Sequence, residues 1–261
     1  MKRSDIEKIA HTPEDRLLLA RVWDKIQAGL TRQIPANTCF LSPREQEMAR
    51  FLFGETPGLS AFGGCPEAER KMLVYSPEYM AEDWLYGEES PVACLEASFY
   101  PGDEPTHRDF LGAVMGAGVA REAVGDIYVD KSRCYLFVTG EIAPYIAQNL
   151  LSAGRASLKI RAVPLREAAL PQPETQEIRD TVASPRLDSI IASGFRVSRS
   201  RAAEYIAAGR AAIDGLPCEK PDKPVPQGSK VSVRGLGKLC LRTVGGQTKK
   251  GRVVIVIDRY I

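Results

Sequence analysis

Histidine is nearly absent from this 261-residue chain: His11 and His107 are the only two, and they lie 96 positions apart. Cysteine is present but scattered, with Cys39, Cys65, Cys94, Cys134, Cys218 and Cys240 each 22 or more positions from the next. A chain with no C-x-x-C pair and no histidine close by lacks the ligand spacing of a zinc site, so neither a metal nor a cofactor is expected. Long apolar runs are missing too. The longest aliphatic run is Val253–Ile257, and the uncharged stretch Leu111–Ala120 is short and diluted with glycine; a membrane-spanning helix needs about 20 apolar residues. The first sixteen residues carry Lys2, Arg3, Asp5, Glu7, Lys8, Glu14, Asp15 and Arg16, which leaves no room for the apolar centre of a signal peptide. The expectation is a cytoplasmic protein with reduced thiols and no membrane partner.

Acid is scarce in one part of the chain only. Residues 184–261 hold 15 Lys/Arg against 6 Asp/Glu, a net of +9, whereas residues 1–183 hold 20 against 27, a net of −7. The overall charge of +2 hides that asymmetry. A small segment with such an excess is an electrostatic footprint for a polyanion. The alternative is a solvated basic surface with no partner.

Local signals divide the chain into an α+β arrangement of small units. Thr12-Pro13 and Ser42-Pro43-Arg44-Glu45 predict helix starts, because a hydroxyl caps the first turn and proline tolerates its first position. Leu18, Val22, Ile26 and Leu30 then supply the apolar face of the first helix, and Met48, Phe51 and Leu52 that of the second. Phe62-Gly63-Gly64-Cys65-Pro66 breaks the chain, and residues 1–85 read as a helical-rich α/β module. From Val92 the order is strand, helix (Thr106–Gly116), two strands (Gly125–Asp130 and Cys134–Thr139), helix (Ile142–Ala153) and strand (Ser157–Val163). That β-α-β-β-α-β order over residues 86–168 is ferredoxin-like, the arrangement of many RNA-recognition (RRM-like) modules. Its candidate stacking aromatics are Tyr128, Tyr135 and Phe137, with burial in the core as the competing reading. Residues 169–183, with Pro171 and Pro173, read as a linker.

The basic segment 184–261 carries most of the functional information. Ser184-Pro185 predicts the start of a helix that ends at Gly194-Phe195, and Ser198 caps a second helix, Arg199–Ala208, which Gly209 terminates. Strands are expected at Ala211–Ile213, Lys230–Arg234, Lys238–Arg242 and Val253–Ile257, with Gly245-Gly246 opening a loop. The two helices gather Arg186, Arg196, Arg199, Arg201 and Arg210, and the Ser-Arg-Ser-Arg run 198–201 falls at a helix start. A guanidinium makes paired hydrogen bonds to phosphate, and a helix N-terminus adds free N–H groups and a positive dipole end. The residues expected to bind RNA are Arg186, Arg196, Ser198, Arg199, Ser200, Arg201, Arg234, Lys238, Lys249, Lys250 and Arg252. For Arg186 an internal ion pair with Asp188 is an equal alternative.

This segment resembles the S4 domain in Arg186-Leu187-Asp188, Ser198-Arg199, Ala202, Ile206, Gly209, Ile213-Asp214-Gly215 and Gly228–Val233, with Ser229 where the family has aspartate. Phe62–Lys71, Thr106–Ala113 with Arg121-Glu122 and Gly125-Asp126-Ile127, Arg234–Lys238 and Thr248–Arg252 extend the likeness over nearly the whole chain to the YlmH-type RNA-binding proteins of bacteria; Cys65 replaces the usual aromatic. The resemblance implies a non-enzymatic binder of ribosomal or transfer RNA that works with the ribosome, on the large subunit, in rescue of stalled translation. It also attaches a link to cell division. Thr106, His107, Arg108 and Asp109 form a possible second contact surface, with a Thr106–Asp109 helix cap as the local alternative. His107-Arg108-Asp109 has Val114 where a kinase catalytic loop needs asparagine, and Gly245–Lys250 lacks the spacing of a phosphate-binding loop. Two other function classes stay open: an RNA-modifying enzyme joined to an S4 domain, and a cell-division interaction protein.

Overall fold

The computed structural model describes residues 3–81, 83–171 and 174–261. The chain is α+β and divides into two compact units, residues 1–171 and 172–261. The helical-rich module and the β-α-β-β-α-β segment, expected as separate domains, therefore share one unit. Among the described residues no helix is long and apolar enough to cross a membrane.

In the first unit, α1 (Pro13–Arg32) and α2 (Pro43–Phe53) begin with the capping boxes their sequences predict. Thr12 Oγ1 accepts from the Asp15 N–H while the Asp15 carboxylate accepts from the Thr12 N–H. Leu19, Val22 and Ile26 are the buried apolar side chains of α1, so its inward face is centred slightly off the Leu18–Leu30 row. A small antiparallel sheet follows, in which β2 (Met72–Tyr75) lies between Ala36–Asn37 and β1 (Leu59–Phe62).

The rest of this unit is a four-stranded antiparallel sheet made of β3 (Val92–Ser98), β4 (Val124–Val129), β5 (Arg133–Thr139) and β6 (Lys159–Val163), in the spatial order β4-β5-β3-β6. Between β3 and β4 runs α3 (His107–Gly116), and between β5 and β6 runs α4 (Ala143–Asn149). Successive side chains along a strand point to opposite faces, and here both faces are covered. Leu95, Ala97, Cys134, Leu136 and Val138 pack with Phe110, Val114 and Ile146 of the helices. On the other face Cys94, Tyr135 and Phe137 pack with Phe40, Phe62, Met72 and Val74 of the N-terminal module.

The sequence motifs at this junction do structural work. Gly64 has φ +90°, and a Cβ there would lie 2.5 Å from the Phe137 ring, so only glycine lets the chain cross the sheet so closely. The half-buried Asp126 carboxylate accepts from the Glu69 and Arg70 N–H groups, and burial pushes its pKa up. Arg70 reaches the carbonyls of Val124 and Phe40 at 3.0 Å each. The A-E-R and G-D-I segments are thus one clamp.

The second unit corrects the linker reading. Residues 175–182 form β7 (Thr175–Val182), paired along its length with β11 (Val253–Tyr260). Only Ile178 and Val182 on that strand belong to the apolar core, which is why its polar, proline-preceded sequence reads as linker. The sheet order is β7-β11-β10-β9-β8 and then Leu216–Pro217, with β8 (Ala211–Ile213), β9 (Lys230–Val233) and β10 (Gly237–Gln247) all antiparallel to their neighbours. Gly245 and Gly246 do not open a loop. They lie inside β10, where the register shifts between Val244 and Gln247, as a bulge with small residues allows. Two helices, α5 (Leu187–Phe195) and α6 (Arg199–Ala207), supply Leu187, Ile190, Ile191, Ala202 and Ile206 to the core. Arg186, rather than Ser184, is the N-cap of α5.

The bidentate guanidinium of Arg44, on α2, holds the pKa of Asp15, on α1, down at about 2. A carboxylate that titrates lower in the folded state stabilises fully above its unfolded value, and that gain is lost as pH falls through the folded one. The melting temperature of Asp15→Asn should therefore lie below wild type above about pH 4, with the gap closing as pH falls toward 2. Circular dichroism melts across that range provide the check, and a pH-independent gap would contradict the assignment.

Candidate nucleic-acid interface

The corner between α5 and α6 is built around one carboxylate. Asp188, 5% exposed, accepts from the Ser189 N–H at 2.8 Å and from Arg199 at 2.5 Å, and it lies 3.3 Å from Arg186. Burial pushes its pKa up, and the two guanidiniums outweigh that to leave it lowered. Arg186 makes the internal ion pair, and Arg199 shares the same partner. Both guanidinium side chains keep a wet side, at 40% and 58% exposure. The carboxylate thus holds two arginines in place without removing them from the surface.

At the α6 start, Ser198 Oγ accepts from the Arg201 N–H at 3.1 Å and lies 2.9 Å from Ser200 Oγ. Arg201 pairs with Glu204 and stacks over Tyr205, 5.1 Å from the ring centre. Arg210 stacks on the same ring at 4.8 Å. Tyr205 is absent from the sequence-derived set, although its spacing from Arg201 is the four-residue helical repeat that brings side chains together. Arg196 occupies the left-handed position after α5, with φ 55°. That position favours glycine, so an exposed arginine is held there against a backbone preference.

The remaining expected contacts do not gather into one patch. The Arg234 N–H donates to the Arg210 carbonyl, joining the β9–β10 turn to the arginine–tyrosine stack. Lys238 sits opposite Ser232 on the first part of β10, whereas Lys249, Lys250 and Arg252 lie beyond its far end. At about 3.3 Å per residue the ends of β10 are roughly 30 Å apart. Arg252 is also engaged, donating from Nε to Thr181 Oγ1 at 3.0 Å and from Nη2 to the Thr181 carbonyl. Among the described residues, Arg196, Arg234, Lys249 and Lys250 have no carboxylate within ion-pair distance. In the first unit, Thr106 and Asp109 complete a capping box at the start of α3, with both the Thr106 N–H and its hydroxyl donating to Asp109. The local alternative accounts for these two residues; Arg108 stays exposed beside them.

Known proteins resemble this chain in three ways. The family described as "Putative RNA-binding domain in YlmH" matches residues 103–167. The ribosome-associated protein quality control protein P2 of Bacillus subtilis (strain 168) is 32% identical over 226 residues, covering 85% of this chain and 86% of the relative. The chain belongs to the YlmH-type RNA-binding proteins. A solved structure, the cell division protein ylmH from Streptococcus pneumoniae, has a TM-score of 0.50 at 19% identity, over 61% of this chain and 96% of that one; this shows shared fold. The match at 103–167 draws attention to the α3–β6 region of this YlmH-type chain, whereas the sequence-derived contacts fall chiefly in residues 186–252. The missed signal is the alternation Lys159-Ile160-Arg161, which places both basic side chains on one sheet face.

Asp188→Ala should free Arg186 and Arg199 and lower stability by about 1–2 kcal/mol, less than a fully buried pair would cost because both guanidiniums remain partly hydrated. Urea unfolding of the purified variant measures this. An unchanged midpoint would show that the carboxylate anchors nothing.

Proposed function

We propose that this chain binds structured ribosomal or transfer RNA on the ribosome without catalysing a reaction. The carrying observation is the α5–α6 corner, where Asp188 fixes half-exposed arginines beside the capped start of α6. A planar guanidinium fork at a helix N-terminus suits phosphate oxygens. Folded RNA is recognised mainly through shape and backbone, which such a surface can do without stacking aromatics.

The finer reading rests on further support. We read residues 92–163 as ferredoxin-like, from their strand and helix order, and residues 174–261 as an S4-type unit, from the motif that spans α5, α6 and β8. The name of the Bacillus subtilis relative supports a place in ribosome-associated quality control, and the family resemblance points to the large subunit. The engagement of Asp188 with Arg199, Arg186 and Ser189 supports an anchoring role over that of a nucleophile.

Fluorescence anisotropy of the full chain with a labelled RNA hairpin tests the reading. If about 4–6 phosphates are neutralised, the log–log dependence of affinity on salt should have a slope of roughly −3 to −5. Lys249→Glu with Lys250→Glu, at an exposed hairpin, should weaken binding and flatten that slope. A salt-independent affinity, or no binding, would refute it.

A further inference from the structure

The four-stranded sheet of the first unit has one end of one face left open. Cross-strand pairing places Phe137, Cys94 and Val163 in a row under the N-terminal module. The next row is Tyr128, Tyr135, Glu96 and Arg161, and the last is Arg133, Ser98 and Lys159. Tyr135 and Phe137 are buried at 3% and 0% exposure, and Tyr128 is partly buried with its ring edge-on to Phe137 and its hydroxyl 3.6 Å from Cys65 Sγ. Arg133 and Arg161 instead keep 55% and 67% of their side chains exposed, and Lys159 is exposed in the same row as Arg133.

Glu96 organises this end. Its carboxylate, 10% exposed, takes two hydrogen bonds from Arg161 Nη2, at 3.0 and 3.1 Å, and one from Nε at 3.2 Å. It also lies 3.8 Å from Arg133. One buried charge thus fixes one guanidinium and draws a second toward it, and their outer sides face solvent. Asp130, in the β4–β5 turn, uses its carboxylate on the Lys131 N–H. The basic character is local: residues 103–167 hold 8 Lys/Arg and 8 Asp/Glu. A neutral segment that places three of its eight Lys/Arg, namely Arg133, Lys159 and Arg161, on one open sheet end presents a pattern rather than an excess.

We propose that Arg133, Lys159 and Arg161 form a second RNA surface that grips the phosphodiester backbone across the uncovered end of this sheet. It is separate from the α5–α6 corner and rests on the RNA-binding reading above. Charge complementarity selects a polyanion, and the family match over 103–167, which contains all three residues, selects RNA. Binding there is to phosphate alone, so it carries no base preference.

The test uses the full chain and a fluorescein-labelled RNA hairpin, comparing Arg133→Gln/Lys159→Glu with Lys25→Glu, an exposed cation on α1. Arg161 is left in place in the first variant because it neutralises Glu96. A second variant, Glu96→Gln/Arg161→Gln, removes that pair together so that no buried charge is stranded. With melting temperatures near wild type, both sheet variants should bind roughly 5- to 20-fold more weakly, and Arg133→Gln/Lys159→Glu should flatten the salt slope by about 1–2. Lys25→Glu should bind like wild type. Sheet variants that bind like wild type while Lys249→Glu/Lys250→Glu binds weakly would overturn this surface and leave the proposed function standing. An equal loss with Lys25→Glu would also overturn it, as would a labelled polyglutamate peptide binding at the same affinity with the same sensitivity to the sheet variants. Failure of the wild-type chain to bind the hairpin would overturn both readings.

Discussion

Burial of one sheet on both faces decides which of its side chains this protein keeps inside and which it leaves at the surface. Helices α3 and α4 cover one side of β3–β6, and Phe40, Phe62, Met72 and Val74 cover most of the other. Burying large apolar side chains contributes about 1.5–3 kcal/mol each, so Tyr135 and Phe137 are held inward by the same packing that holds the N-terminal module. A surface that stacks bases and a core that joins two modules cannot use the same rings. What stays open is the end where Glu96 gathers arginines.

The same device recurs in the second unit. There Asp188 is the buried carboxylate, and Arg186 and Arg199 are the cations that it orients. A buried acid paired with partly exposed arginines trades some positive charge for fixed geometry. Breaking such a pair strands a charge, which makes each acid a structural requirement as well as an organiser. Preorganised guanidiniums lose less freedom when they meet phosphate. The corner and the sheet end therefore share a logic, though one sits on helices and the other on strands.

The sequence discloses what is local. Thr12, Ser42, Thr106 and Ser198 cap helices as read, because a hydroxyl and a backbone N–H three residues on suffice to define a cap. Strand β7 was hidden because an edge strand with solvent on one side needs few apolar residues, and its Glu177, Arg179 and Asp180 suit an edge. Gly245 and Gly246 read as a loop because their tolerance for a bulge looks the same in sequence. For the site, the arginine cluster was legible, but its partition was not. Which arginines share Asp188, and that β10 separates Lys238 from Lys249, depend on contacts between distant segments. That Lys159 and Arg161 stay exposed depends on which end of the sheet face the N-terminal module leaves bare.

Photocrosslinking of the full chain to RNA that carries a photoreactive group on its backbone phosphorothioates, with crosslinked peptides identified by mass spectrometry, tests the central claim most directly. The account predicts crosslinks in peptides spanning residues 186–210, at the hairpin of Lys249 and Lys250, and in peptides spanning residues 131–161, with few on α1 or α2. Crosslinks concentrated on α1 and α2, or crosslinks within residues 131–161 that map to the Tyr135 and Phe137 rings rather than to Arg133, Lys159 or Arg161, would contradict it.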